Sequence, residues 1–235
     1  CEEYRKRIIQ LGEAPDRAFN VGALGVENIR RMSLMERSEL VESIGFNLEK
    51  PYFLVAFQPV TLEKSTSEGQ FQSLLDALDA FPEYNVILTK TNADTDGRVI
   101  NRLIEDYAEK RPERCIAVTS LGTHRYLSAM KYAIAVIGNS SSGIIEAPTF
   151  KIPTVNIGNR QKGRIQAASI LNCSPDADAV RQTIVHALSP AFRQSLSGIS
   201  NPYDRLDTCS RIVRLLEKSD IFGIMKKSFY DIRFS

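Results

Sequence analysis

The chain has 235 residues, 43% of them hydrophobic, enough to bury a substantial core in one large or one and a half ordinary domains. Its 30 basic and 28 acidic residues leave a formal net charge of +2 spread along the chain, so no whole-protein field points to nucleic acid or a membrane. Cys1, Cys115, Cys173 and Cys209 lie far apart with no C-x-x-C pair, which argues against a zinc knuckle or a disulfide framework and predicts a cytoplasmic setting; no signal peptide is legible, and no apolar run approaches the roughly 20 residues of a bilayer span.

The chain begins at Cys1, without an initiator Met, and enters a charged amphipathic helix, Glu2-Glu3-Tyr4-Arg5-Lys6-Arg7-Ile8-Ile9-Gln10-Leu11-Gly12, with nothing before it to pack on. This reads as a chain cut from a longer protein. Beyond it, β-rich runs at 19–21, 53–57, 86–89, 116–119, 133–137 and 154–157 alternate with helical segments at 37–44, 67–81, 98–110, 124–132, 141–147, 177–188 and 208–218. Such alternation predicts βαβ units. Runs such as Phe53-Leu54-Val55-Ala56-Phe57 are apolar on both sides, as strands are when helices cover both faces of a parallel sheet. The expected fold is therefore an α/β doubly wound parallel sheet. Its ligand would sit at the carboxyl ends of the strands, among the loops 58–65, 90–98, 120–125, 138–142 and 158–164.

The most informative loop follows the run Ala135-Val136-Ile137, where Gly138-Asn139-Ser140-Ser141-Ser142 opens an apolar helix. Asn139 to Ser142 supply the cap region, the first free N–H groups of that helix form an expected phosphate site, and Glu146 lies near enough to accept hydrogen bonds from hydroxyls attached to the phosphate's owner. A sugar nucleotide has such hydroxyls. The next loop, Gly158-Asn159-Arg160-Gln161-Lys162-Gly163-Arg164, supplies three cations on the adjoining unit, and arginine forks suit diphosphate oxygens.

Other patterns carry less. Asn92-Ala93-Asp94-Thr95-Asp96-Gly97 imitates the opening of a calcium loop, but its twelfth position is Leu103 rather than a bidentate acid. Asn139-Ser140-Ser141 is formally a glycosylation sequon in a chain without a secretory signal. The two histidines, His124 and His186, form no triad pattern, and the serine-hydrolase elbow, the P-loop and the dinucleotide fingerprint are all missing. No metal or cofactor is expected.

The run from Gly138 through Glu146, Ala147 and Pro148, followed by Ile152-Pro153-Thr154-Val155-Asn156-Ile157 and the basic loop, resembles the hydrolysing UDP-N-acetylglucosamine 2-epimerases of sialic and related nonulosonic acid synthesis. The resemblance extends over Asn20-Val21-Gly22-Ala23-Leu24-Gly25, over Pro59-Val60-Thr61-Leu62-Glu63, and over most of the remaining chain. It implies a Rossmann-like domain, the C-terminal one of a glycosyltransferase-B arrangement, over 21–235. Residues 1–20 would then be a remnant of a first domain and the interdomain segment, with the last helices packing back on that domain.

The resemblance further implies that Ser140 and Ser141 hold the diphosphate of UDP or UDP-N-acetylglucosamine, that Glu146 takes the ribose hydroxyls, that Arg160 and Arg164 face the phosphates, and that the backbone of Tyr126 meets the uracil. The implied reaction removes the C2 proton while UDP leaves C1, and water then adds to the resulting glycal to release N-acetylmannosamine. Its acid and base carboxylates would come largely from the first domain, so this chain alone is expected to be inactive and the complete protein a homo-oligomer. Two positions depart from the family pattern. Gln58 stands where relatives carry a functional His, and an amide can donate a hydrogen bond but cannot carry a proton between groups. Asp204 stands where a Gly commonly follows the tyrosine. A glycosyltransferase of the same architecture and a non-catalytic nucleotide-sugar binding module are the alternatives.

Overall fold

The computed structural model describes residues 1–60, 67–91, 95–220, 222 and 226–232. Six strands, β1 (Tyr52–Ala56), β2 (Asn85–Thr89), β3 (Cys115–Val118), β4 (Ala135–Gly138), β5 (Thr154–Ile157) and β6 (Ile170–Cys173), form one parallel sheet in the order β3-β2-β1-β4-β5-β6. The order reverses between β1 and β4. At such a switch point the connections from neighbouring strands leave in opposite directions and open a crevice.

Alternation along the strands divides the core. Phe53, Val55 and Phe57 face one layer with α4 (Ser67–Leu78), α5 (Thr95–Glu109) and α8 (Ala177–Leu188), through Phe71, Leu74, Ile104 and Ile184. Tyr52 and Leu54 face the other, with α3 (Arg37–Ile44) and α6 (Gly122–Tyr132), through Leu40, Ala129 and Met130. All five residues of β1 are buried, which is why that strand reads as an unbroken apolar run. The amino-terminal helix α1 (Glu2–Gln10) packs by Tyr4 on a third, smaller cluster around Val26, Ile144 and Tyr203.

The predicted run at 19–21 is not a strand. Phe19 is exposed, and the Val21 carbonyl accepts a hydrogen bond from Thr208 Oγ1 at 2.7 Å, bracing the start of α10 (Thr208–Lys218) instead of a ladder. Three elements lie outside the predicted set. Helix α2 (Leu24–Arg31) begins within a Gly-Ala-Leu-Gly stretch that reads locally as a turn, and burial of Val26 and Ile29 fixes it as helix. The edge strand β6 is half exposed, so Ile-Leu-Asn-Cys shows little apolar signal. Helix α9 (Pro190–Ser195) is a short turn capped by Ser189. Among the described residues no helix is long and apolar enough to cross a membrane. The 61–65 part of the first predicted loop and the start of the calcium-like run at 92–94 lie outside the described residues.

Candidate nucleotide-sugar site

The crevice between β1 and β4 is lined by the turn that the sequence singles out. Strand β4 ends at Gly138 with φ +135°, and a Cβ there would overlap the Ala56 carbonyl oxygen of β1. Only glycine lets the two strand ends come this close. Ser140 caps α7 (Ser141–Ile145): its hydroxyl accepts from the Ser142 N–H at 3.4 Å and lies 3.1 Å from the Ser142 hydroxyl. Among the described residues the Ser141 N–H has no partner, as expected at the start of a helix. A Cβ on Gly143 would lie 2.8 Å from Thr154 Cγ2, so a glycine here seats the helix against β5. Helix α7 is shorter than predicted and passes directly into a 3-10 turn (Ala147–Phe150), which makes Glu146 the residue that ends the helix.

Glu146 is half buried, with Oε1 3.0 Å from where a Cβ on Gly25 would stand, and burial raises its carboxyl above the usual range. It lines a cavity of about 380 Å³ together with Gln58, Tyr126, Ser140 and Lys90. Tyr126 sits within α6, and its hydroxyl lies 2.6 Å from the Ser142 hydroxyl; burial pushes the phenol up to about 12, so it is neutral at physiological pH.

Gln58 follows β1 and is held from both sides. Its backbone N–H donates to Asn139 Oδ1 at 2.7 Å and its carbonyl accepts from Asn139 Nδ2 at 2.8 Å. The Thr91 hydroxyl donates to Gln58 Oε1, and Thr91 is tied through its backbone N–H and carbonyl to the Asn101 amide at 2.8 and 3.1 Å. With Oε1 engaged in this way, the Gln58 amide nitrogen is left to donate.

The basic loop after β5 reaches the same turn. Arg160 and Gln161 both donate to the Asn139 carbonyl, at 3.1 and 2.7 Å. Desolvation and, second to it, the neighbouring Arg164 charge lower Arg160 from the ordinary arginine range. The loop is anchored from outside: Arg7 of α1 donates to the Gly163 carbonyl at 3.2 Å, and Tyr203 donates to the Ile165 carbonyl at 2.7 Å.

Thus Gln58, Tyr126, Ser140 and Glu146 share one cavity, while Ser141, Arg160 and Arg164 stand beside it rather than in its wall. The sequence alone does not single out Thr91, Asn101 or Lys90, and although it places Asn139 in the cap region, nothing local shows that its amide turns back to β1. Among the described residues no three His, Cys, Asp or Glu side chains come together to hold a metal.

The family model for UDP-N-acetylglucosamine 2-epimerase matches residues 1–217. This chain belongs to that family. It is 36% identical over 232 residues to the hydrolysing GDP/UDP-N,N'-diacetylbacillosamine 2-epimerase of Campylobacter jejuni, covering 98% of this chain and 60% of the relative. It is 38% identical over 234 residues to polysialic acid biosynthesis protein P7 of Escherichia coli, covering 98% and 59%. The chain therefore spans about three-fifths of the length of these relatives. The crystal structure of the Methanocaldococcus jannaschii UDP-GlcNAc 2-epimerase in complex with UDP-GlcNAc and UDP superposes with a TM-score of 0.71 at 14% identity, over 93% of this chain and 59% of that one. At that identity the likeness concerns the fold, and it agrees with the expected Rossmann-like α/β architecture of the glycosyltransferase-B type. Within the epimerase family, then, this chain carries the serine-rich turn, the half-buried glutamate and the cationic loop at its sheet switch point.

Proposed function

We propose that this chain is the nucleotide-sugar-binding half of a cytoplasmic hydrolysing 2-epimerase that converts UDP-N-acetylglucosamine to N-acetylmannosamine and UDP. The observation that carries the reading is the convergence of a half-buried carboxylate at Glu146, without a hydrogen-bond partner among the described residues, with the serine-capped turn and the neighbouring Arg160 and Arg164. Ser141, the free N–H groups and Arg160 bind the diphosphate, with Arg164 adding charge. Glu146 accepts from the ribose hydroxyls, and the uracil lies against α6 at Tyr126. The hydrolysing activity named for the Campylobacter relative supports the reaction class. Residues 21–235 form the binding domain, and 1–20 are a remnant of a first domain and the interdomain segment; that first domain supplies the acid and base carboxylates, so this chain alone binds without turnover.

Calorimetry with UDP in the presence of a chelator tests the binding role, because the cations and N–H groups can neutralise a diphosphate without a metal. Binding is expected to persist. Strict magnesium dependence, or folded protein that takes up no UDP, overturns the reading.

One observation favours a second reading, a nucleotide-sugar binding module without catalysis. Gln58 places a neutral amide where the family pattern has an imidazole that can titrate near neutral pH. In a protein joined to a first domain, Gln58→His is expected to raise UDP release by roughly 10² to 10⁴ if imidazole acts in proton transfer. No turnover in either joined form favours the binding module.

A further inference from the structure

We propose that Asn139 is the positioning residue that locks three strand-end loops into one ligand-binding arrangement. It is buried to 1% exposure at the switch point, and all its polar groups are engaged across the crevice. Its side chain makes the two bonds to the Gln58 backbone, its own N–H donates to the Ala56 carbonyl at 3.2 Å, and its carbonyl takes both Arg160 and Gln161. The amide orientation is fixed by its partners, since a backbone N–H can only donate and a carbonyl only accept. One residue thereby sets the β1 loop that carries Gln58, the β4 turn that carries Ser140 and Ser141, and the β5 loop that carries Arg160.

The bonds are unusual in direction. The Asn139 side chain ties its own turn after β4 to the segment that follows β1, while its backbone carbonyl takes the loop that follows β5. Gln161 is exposed by only 2%, and its nitrogen is turned onto the Asn139 carbonyl while Oε1 has no partner among the described residues. The loop thus leaves one buried acceptor without a bond while keeping the bond to Asn139. The turn N–H groups and the Arg160 guanidinium, which these loops present, are those assigned above to the diphosphate. The Glu146 carboxylate, assigned to the ribose, makes no contact with Asn139. The proposal rests on that assignment for its ligand and predicts a selective loss: contacts to phosphate weaken, and contacts to the nucleoside stay.

Nuclear magnetic resonance titration of the chain and its Asn139→Ala variant with UDP and with uridine reads the folded state, both affinities and the exchange of the Gln58 amide proton together. The variant is expected to bind UDP at least roughly tenfold more weakly, to bind uridine within about twofold of the parent, and to exchange the Gln58 amide faster, as loss of both buried side-chain bonds to the Gln58 backbone requires. Equal weakening of UDP and uridine, or unchanged UDP affinity, overturns the proposal. Failure of the parent to bind UDP overturns the function proposed above. In that case accelerated exchange at Gln58 together with shifted Arg160 and Gln161 signals upholds the positioning role, and unchanged exchange removes it. Should Asn139→Ala not fold, Gln161→Leu keeps the Asn139 side chain and removes one bond to its carbonyl. That variant is expected to lose UDP affinity by roughly fivefold with uridine unchanged, and unchanged UDP affinity in it overturns the proposal.

Discussion

The turn after β4 and the loop after β5 serve one crevice but are built in opposite ways. The turn is buried from Ala135 to Asn139, is capped by its own serine and approaches β1 so closely that Gly138 admits no side chain. The loop exposes Arg160, Lys162 and Arg164 and is held by contacts it does not itself contain, to Asn139 on one side and to Arg7 and Tyr203 on the other. A turn fixed by sterics cannot change without cost to the fold. A loop whose cations crowd one another keeps its charge available, and an anion relieves the repulsion. A change at Gly138 should therefore appear as lost stability, and changes in the loop as lost affinity.

The sharpest break is Gly138→Ala. Its Cβ meets backbone rather than the end of a flexible side chain, and φ is positive, so a loss of about 3 kcal/mol or more is expected, enough to lower the chemical-denaturation midpoint markedly or abolish soluble expression. A variant as stable as the parent would show that the two strand ends do not need this approach. Next comes Arg160→Ala, which removes an exposed cation with a single bond to the turn. UDP affinity should fall ten- to hundredfold, the equivalent of roughly 1.5 to 3 kcal/mol for a charge-assisted contact, with the thermal midpoint nearly unchanged. If calorimetry shows equal affinity, the loop does not face the phosphates.

The smallest effect sharpens the comparison at the turn's far end. Burial raises the Glu146 carboxyl above its ordinary value, so in the folded, unliganded chain the protonated form persists to higher pH than in the unfolded chain. Any stability gained from the neutral form is present below the unfolded value and is lost as pH rises through the folded one. Ligand hydroxyls favour the ionised form, so UDP affinity should rise with pH through that same raised value, with protons released on binding. UDP's terminal phosphate titrates nearby, at about 6. Glu146→Gln separates the two: at neutral pH it should cost roughly 1 kcal/mol, and its affinity profile should keep only the phosphate's dependence. Identical profiles for parent and variant would remove Glu146 from the site.

Much of the architecture is legible before any coordinates. β1, β2 and β4 announce themselves because strands buried on both faces must be largely apolar, and α3 and α8 show their starts through local caps. Glycine, hydroxyls and a carboxylate in close succession likewise mark the β4 turn, because an anion site at a helix start uses neighbouring residues. What escapes are the elements defined by partners distant in the chain. Helix α2 is fixed by burial of Val26 and Ile29, and β6 by pairing along one edge, neither of which leaves a strong local pattern. The strand order, and with it the crevice, follows from which strands pair. The same holds for Asn139, whose identity is plain in the sequence while its bonds to Gln58 and Arg160 span 81 and 21 residues. Local chemistry is written in local sequence, but a hydrogen bond between loops exists only once the sheet has brought their ends together.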